Sequence, residues 1–129
     1  MKELRIFDKV DNNKYILELG YLVKIVNSID GVVLKGEWEI VRGAYGYGEA
    51  ICQIEDKLNN GERCFVSDNE IFPLLLEDEQ YFYHVTMMKV GSDISIGVFD
   101  STFLFIKSDD ERLICEIMNH FKNIQLLNL

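Results

Sequence analysis

Three strand-like segments that follow one another closely constrain the fold of this chain more than any other feature. The segments are Gln80–Val90, Ile94–Phe99 and Thr102–Lys107. They are rich in aromatic and β-branched residues, which favour strands. Gly91-Ser-Asp93 and Asp100-Ser101 separate them, and both connections are short enough to be hairpin turns. Because strands joined by short turns pair antiparallel, the sequence predicts an antiparallel meander over about 80–107.

A helix is predicted directly after this meander. Ser108-Asp-Asp-Glu111 has the form of a capping box. Apolar residues then recur at helical spacing, at Leu113, Ile117, Phe121 and Ile124. The pattern predicts a C-terminal helix over about 109–123. A mainly antiparallel sheet packed by helices is an α+β fold, and we expect it to form a single globular domain over 1–129.

The first third of the chain predicts one strand and one helix. Leu4–Val10 begins with alternating apolar and charged residues, which indicates an edge-type strand. Apolar residues at positions 15, 19, 22, 26 and 29 predict a helix over 19–29. The segment 14–18 can be read in two ways, as part of this helix or as a strand that pairs with Leu4–Val10 in a hairpin.

Shorter elements are predicted between these regions. Strands are expected at Val32–Leu34, Trp38–Val41 and Arg63–Val66, and a helix at 51–58. Ser67-Asp-Asn-Glu70 resembles a capping box, but Pro73 would lie too deep in a helix begun there. A short helix that starts near Pro73 is therefore expected. The three cysteines, Cys52, Cys64 and Cys115, lack disulfide or metal spacing and are expected to be buried, reduced thiols.

The glycine-rich stretch RGAYGYGEA, residues 42–50, has the setting of a phosphate-binding loop but lacks its chemistry. Its glycine spacing matches neither dinucleotide nor P-loop motifs, and no lysine, serine or threonine follows. Glu49 stands where the phosphate would bind. We expect a flexible surface loop in which Tyr45 and Tyr47 contact a partner. The alternative is a plain connection whose tyrosines pack on the core.

Catalytic and metal-binding patterns are weak. His84 lies in a strand-like segment, where a structural role is expected. Glu116 and His120 are one helical turn apart, but two ligands do not make a metal site. No nucleophile stands beside a base with an orienting group. We therefore expect no enzyme activity, no bound metal and no cofactor.

Charge is the strongest global signal. The chain has 13 basic and 22 acidic residues, which gives a net charge of −9. Such a surface repels nucleic acid and attracts basic proteins. Between Arg63 and Lys89 no lysine or arginine occurs, while acidic residues cluster there at Asp68, Glu70, Glu77, Asp78 and Glu79. These five acids, with Tyr45 and Tyr47, are the predicted partner-binding residues; the alternative is that the charge only keeps the protein soluble.

A resemblance to a known class of proteins adds a function to this pattern. The block Gly97–Ser108, GVFDSTFLFIKS, followed by an acidic-capped helix, resembles small immunity proteins of bacterial polymorphic and contact-dependent growth inhibition toxin systems. The resemblance covers about the last third of the chain. It implies a cytoplasmic, non-catalytic protein that binds the C-terminal toxin domain of a co-inherited effector, commonly a basic nuclease. Residue roles cannot be transferred, because the resemblance has no position-specific motif.

Two other functions are compatible with the sequence. One is a small-ligand-binding module or minor enzyme with a pocket near Tyr81, Tyr83 and His84. The other is an oligomer that assembles through the edge strand Leu4–Val10. The charged N-terminus and the absence of a long apolar stretch predict no signal peptide and no contact with membranes. The oligomeric state stays open between monomer and homodimer.

Overall fold

The computed structural model describes residues 1–10, 16–77 and 79–129. The strands in these ranges are β1 Lys2–Ile6, β2 Glu37–Ile40, β3 Tyr45–Tyr47, β4 Cys64–Ser67, β5 Tyr81–Lys89, β6 Ser95–Phe99, β7 Phe103–Ser108 and β8 Ile124–Asn128. The helices are α1 Leu19–Ile29, α2 Glu49–Asn59, α3 Asp68–Leu75 and α4 Glu111–Met118. The strands form one sheet in the order β4-β2-β5-β6-β7-β1-β8, and β3 pairs with β5 beside this path. All of these pairs are antiparallel, so the predicted α+β class is confirmed.

The predicted meander forms the centre of this sheet. β5 pairs with β6, and β6 pairs with β7, so that Val98 lies opposite both Val85 and Leu104. These three side chains are fully buried and point to the same side of the sheet. Because side chains alternate along a strand, Phe99 and Phe103, which also lie opposite each other, point to the other side.

The helices cover one side of the sheet and leave the other side open. Buried residues of all four helices, such as Leu22, Ile51, Ile71 and Ile117, belong to the same hydrophobic cluster as the inward-pointing strand residues. The opposite side of the sheet carries several exposed rings and apolar chains. We call it the open face.

Gly97 allows an aromatic ring to pack flat on the open face. A Cβ atom at Gly97 would overlap the carbonyl oxygen of Val85 and would lie 2.6 Å from Cζ of Phe105. Phe105, which pairs with Gly97 across β6 and β7, is only 5% exposed although none of the helices α1 to α4 covers it. The ring of Phe105 is therefore buried by lying over the glycine, an arrangement known to offset the weakness of glycine in strands.

Trp38 explains why residues 32–34 do not form the predicted strand. The Trp38 indole is fully buried and donates a hydrogen bond of 2.9 Å to the carbonyl oxygen of Leu34. Residues 32–34 instead belong to a turn, in which the Lys35 amide donates to the Val32 carbonyl. The strand predicted at Trp38–Val41 is present as β2.

The prediction of an edge strand at Leu4–Val10 is wrong, because β1 lies inside the sheet between β7 and β8. The C-terminal helix is also shorter than the predicted 109–123, since α4 ends at Met118. The carboxylate of Asp8 accepts hydrogen bonds from the backbone amides of Lys122 and Asn123. These contacts end the helical path of the chain and lead it into β8, which pairs with the edge of β1.

The two capping boxes differ from their predictions. Ser67 and Glu70 form a complete capping box, and α3 begins at Asp68 and continues past Pro73. The predicted start near Pro73 is wrong because a proline in a helix this short removes only about one helical hydrogen bond. At the last helix, Asp110 rather than Ser108 is the N-cap, and its side chain accepts from the Leu113 amide.

The thiols do not all follow their prediction. Cys64 is buried, and burial raises the pKa of its thiol. Cys52 and Cys115 are exposed, so the prediction is wrong for them. Each follows a buried isoleucine on a helix, and one residue further along a helix the side chain turns away from the core.

Part of the segment 14–18 lies outside the described residues. Residues 16–18 have neither helical nor strand structure. The hairpin alternative is wrong for Lys2–Ile6, because both edges of β1 are occupied by β7 and β8. Beyond β1 the two segments do touch, since the Ile16 amide donates to the Asp8 carbonyl at 2.8 Å. The predicted helix over 19–29 is confirmed as α1.

Candidate functional site

Aromatic side chains form a continuous row on the open face, at the end of the sheet where the β6–β7 turn lies. We call it the aromatic row, and its members in order are Tyr47, Tyr81, Tyr83, Tyr45, His84, Phe99 and Phe103. Neighbouring ring centroids are 5.4, 5.3, 6.0, 5.9, 5.3 and 5.3 Å apart, distances at which aromatic rings attract one another. Tyr47 and Phe99 are each about half exposed, and Tyr45 and Tyr83 are more than a third exposed. A row of partly exposed rings is a surface suited to contact with another molecule.

An irregularity in β5 brings two consecutive side chains into the row. Tyr45 lies opposite His84, but the next residue of β3, Gly46, lies opposite Phe82. Tyr83 is therefore an extra residue on β5, as in a β-bulge. Phe82 and Val85 on either side are buried, while Tyr83 is exposed and His84 half-buried.

The stretch Tyr45–Tyr47 is a strand and not the flexible loop that its glycines suggest. A Cβ atom on Gly46 would overlap the backbone of Tyr81 and lie 2.7 Å from Cα of Phe82. Glycine therefore allows β3 to lie directly against β5, which fixes the two tyrosines on the open face. The helix α2 begins directly afterwards, and its Ile51 amide donates to the side-chain oxygen of Gln80 at 3.4 Å.

A strained turn holds the middle of the row in place. Asp100 and Ser101, between β6 and β7, have φ angles of 42° and 54°. Residues other than glycine in this left-handed region cost roughly 1–2 kcal/mol each. The Asp100 amide donates to Nδ1 of His84 at 3.1 Å, and the Ser101 amide donates to the Tyr83 carbonyl at 2.8 Å.

The Asp100 side chain makes a further contact with the row. The hydroxyl of Tyr45 donates a short hydrogen bond to the Asp100 carboxylate. This bond, with smaller contributions from desolvation and from the negative charge, raises the pKa of the Tyr45 phenol. The pKa of Tyr81 is also raised, chiefly by its hydrogen bond with the hydroxyl of Tyr83. Because the phenols stay neutral, they present hydroxyl donors and acceptors rather than charge.

Acidic side chains border the tyrosines of this row. Glu18 and Glu77 line a cleft together with Tyr81, and Glu49 and Glu79 line a second cleft together with Tyr47. With Asp100, these residues form what we call the acidic border: Glu18, Glu49, Glu77, Glu79 and Asp100. Lys24 lines the first cleft as well. The four glutamates and Asp100 are exposed, so their charge reaches solvent.

The structure brings together four of the seven predicted binding residues, namely Tyr45, Tyr47, Glu77 and Glu79. Asp68 and Glu70 lie at the other end of α3 and have structural hydrogen bonds: Asp68 accepts from the Gly36 amide, and Glu70 belongs to the capping box. Asp78 lies outside the described residues.

Some members of the site were not predicted as binding residues. They are Phe99, Phe103, Glu18, Glu49 and Asp100, and the three residues Tyr81, Tyr83 and His84 were assigned to an alternative ligand pocket. Alternation along β6 and β7 could have placed Phe99 and Phe103 together on one side of the sheet. No sequence signal indicates the bulge or the contacts of the β6–β7 turn.

A cleft lies beside two of the three residues that the alternative ligand pocket was expected to use. A cleft of about 240 Å³ is lined by Tyr81, Tyr83 and Ser101, but His84 is not part of its lining. The His84 ring packs between Tyr45 and Phe99 instead, and its Nδ1 accepts a hydrogen bond.

The other residue patterns considered for chemistry are structural or isolated. Glu116 accepts from Arg112 one helical turn away, and His120 is exposed beyond the end of α4. In the described part of the chain, no group of three or more histidine, cysteine, aspartate or glutamate side chains is arranged to hold a metal ion. No helix in that part is long and apolar enough to cross a bilayer.

Fold and site together define an α+β protein whose sheet has one uncovered face with an aromatic row and an acidic border. Comparisons of the chain with protein-family models, with curated proteins and with solved structures find no match.

Proposed function

We propose that this protein is a cytoplasmic immunity protein that binds and neutralises the basic C-terminal toxin domain of a co-inherited effector. The observation that carries the proposal is the position of exposed tyrosines and acidic side chains beside one another on an uncovered sheet face. Aromatic anchors supply most of the affinity of protein interfaces, and a surrounding charge of one sign selects an oppositely charged partner.

Tyr47 and Tyr83 are the proposed anchors. Tyrosine buries a large ring with little loss of conformational entropy and keeps a hydroxyl for hydrogen bonding. The contacts of Tyr47 with Tyr81 and of Tyr83 with Tyr45 hold these rings before a partner arrives. Such preorganisation lowers the entropic cost of association.

The acidic border is proposed to steer the basic toxin domain to this face. Long-range attraction between opposite charges raises association rates by roughly 10- to 1,000-fold at low salt and is screened over about 10 Å at 0.1 M ionic strength. The net charge of −9 acts in the same direction. We propose inhibition by direct binding, without any covalent step.

The test uses the partner that the proposal requires, a basic C-terminal toxin domain of an effector encoded beside this chain. Replacement of Tyr47 or Tyr83 by alanine is expected to weaken binding about 30-fold or more, because a central tyrosine anchor contributes about 2 kcal/mol or more. Phe65→Ala is the matched control, since Phe65 is 41% exposed but lies on β4, away from the row. Calorimetry gives the affinities.

Charge steering is tested separately with the double substitution of Glu77 and Glu79 by lysine. Stopped-flow measurements at low salt are expected to show an association rate lowered about tenfold, with little change at high salt. The double substitution of Asp56 and Glu62 by lysine is the control for charge alone, because it changes the net charge by the same amount at two exposed positions near the C-terminal end of α2. Equal binding by the tyrosine variants and the Phe65 control, together with association insensitive to salt, would show that another surface binds or that no toxin is bound.

A further inference from the structure

The outer edge of β8 lies at the end of the sheet, separated from β7 and the aromatic row by β1. Among the described residues, no strand pairs with the side of β8 that faces away from β1. An unpaired strand edge presents a row of free amide and carbonyl groups that can pair with another strand.

The register of β8 identifies these groups. The Phe7 amide donates to the Asn123 carbonyl, and the Leu129 amide donates to the Met1 carbonyl. In an antiparallel pair the residues alternate between pointing their backbone groups toward the partner strand and away from it. Because residues 123 and 129 point toward β1, the amides and carbonyls of Ile124, Leu126 and Asn128 point outward.

The β4 and β8 edges of the sheet differ in how they are protected. At the β4 edge, Arg63 pairs with Glu39 and lies over the ring of Phe65, 4.9 Å from its centroid. Charged side chains of this kind discourage pairing between edges. At the β8 edge, the segment Asn123–Leu129 has no charged side chain, although the whole chain has a net charge of −9.

We infer that β8 pairs with the β8 strand of a second copy of this chain and forms a symmetric dimer. In an antiparallel pair centred on Leu126, Leu126 of one copy lies opposite Leu126 of the other, and Ile124 lies opposite Asn128. The two copies are then related by one two-fold axis, and their outward amides and carbonyls form about six hydrogen bonds. The Leu126 side chain, 36% exposed in the single chain, meets its equivalent at the centre. The uncharged segment favours a second copy over a basic partner, since like-charged chains can approach only where charge is low.

The pairing has a geometric consequence for the sheet. Residues opposite each other in antiparallel strands point to the same side. The sheets of the two copies therefore continue into each other, with the helices of both on one side and both open faces on the other.

The first experiment measures the mass of the full chain by size-exclusion chromatography with light scattering, from micromolar to millimolar concentrations. A dimer is expected to form as the concentration rises. Leu126→Pro removes the outward amide without removing a hydrogen bond to β1, and it is expected to weaken the dimer about 100-fold, because both copies lose a donor. Leu126→Ala keeps the amide and is the control for loss of the side chain; Tyr47→Ala, in the aromatic row, is expected to leave dimerisation unchanged.

Amide hydrogen exchange of the unmodified chain tests the same register without a substitution. The amides of residues 125 and 127 are expected to exchange slowly at all concentrations, because they bond to β1. The amides of Ile124, Leu126 and Asn128 are expected to become protected only as the dimer forms. A monomer at every concentration would overturn the inference, and so would a dimer in which these three amides gain no protection.

Discussion

Replacement of Gly97 by alanine tests whether the packing of Phe105 over this glycine stabilises the sheet. The new Cβ would overlap the Val85 carbonyl oxygen and would lie 2.6 and 2.8 Å from two carbons of the Phe105 ring. Backbone shifts from such overpacking cost about 1–3 kcal/mol. The substitution would also expose part of the Phe105 ring, which is now 5% exposed. Since full burial of such a side chain contributes about 1.5–3 kcal/mol, this partial exposure adds a cost of about 1 kcal/mol or more.

The expected loss in the free energy of unfolding is therefore about 3 kcal/mol, after a small gain from replacing glycine in a strand. Total stabilities of single domains are about 5–15 kcal/mol, so this change is large. Urea unfolding can be followed by the fluorescence of Trp38, the single tryptophan of the chain and fully buried. With a urea dependence of about 2 kcal/mol per molar, the midpoint should fall by about 1.5 M.

Two further variants make the reasoning refutable. Gly31→Ala is the control, because its Cβ would meet no atom closer than 3.9 Å, and its free energy of unfolding should change by less than about 0.5 kcal/mol. In a Phe105→Ala background, Gly97→Ala should cost about 1 kcal/mol less than in the unmodified protein, because the ring is gone. A cost below about 1 kcal/mol for Gly97→Ala, or the same cost in both backgrounds, would refute the proposed packing.

Two more properties follow from the contacts of single side chains. The Tyr45 phenol should ionise above its usual pKa in an ultraviolet titration, and Asp100→Asn should lower that pKa. Because the pKa of Tyr45 is raised in the folded state, its hydrogen bond with Asp100 stabilises the fold below the ordinary tyrosine pKa of about 10. This stabilisation is lost as the pH rises through the raised pKa. An unchanged titration in the variant would contradict the assigned hydrogen bond. With a thiol reagent, Cys52 and Cys115 should react in the folded protein and Cys64 only on unfolding, because Cys64 is buried and its pKa is raised; three equally fast thiols would contradict the burial pattern.

The sequence predicts the centre of the sheet well because that part is determined locally. The strands β5, β6 and β7 follow one another, and their turns allow only antiparallel pairing between neighbours. The helix α1 was found for a similar reason, since its apolar residues repeat at helical spacing over one continuous segment.

The end of the chain was predicted wrongly because a distant residue decides it. Phe121 and Ile124 fit the helical spacing of α4, so the local pattern continues the helix. The Asp8 carboxylate, 115 residues before Asn123, accepts from the amides that would belong to the next turn. The same contact places Ile124–Asn128 beside β1 as strand β8. Among the described strands, the unpaired edge at this end of the sheet is therefore at β8 and not at β1.

The candidate site was predicted in part. Charge and composition identified Tyr45 and Tyr47, which belong to the aromatic row, and Glu77 and Glu79, which line the clefts beside it. The pattern gave no means of separating them from Asp68, whose carboxylate is used to hold the Gly36 amide. Helix capping and surface charge draw on the same residue types, and only the fold distinguishes them.

The extra residue in β5 shows how the open face of the sheet can vary independently of the core. Loss of the codon for Tyr83 would leave Phe82, His84 and Val85 in ordinary alternation, with one ring fewer on the open face and the same residues in the core. A change of one position in strand length can therefore alter the rings on this surface while the packing beneath it stays the same.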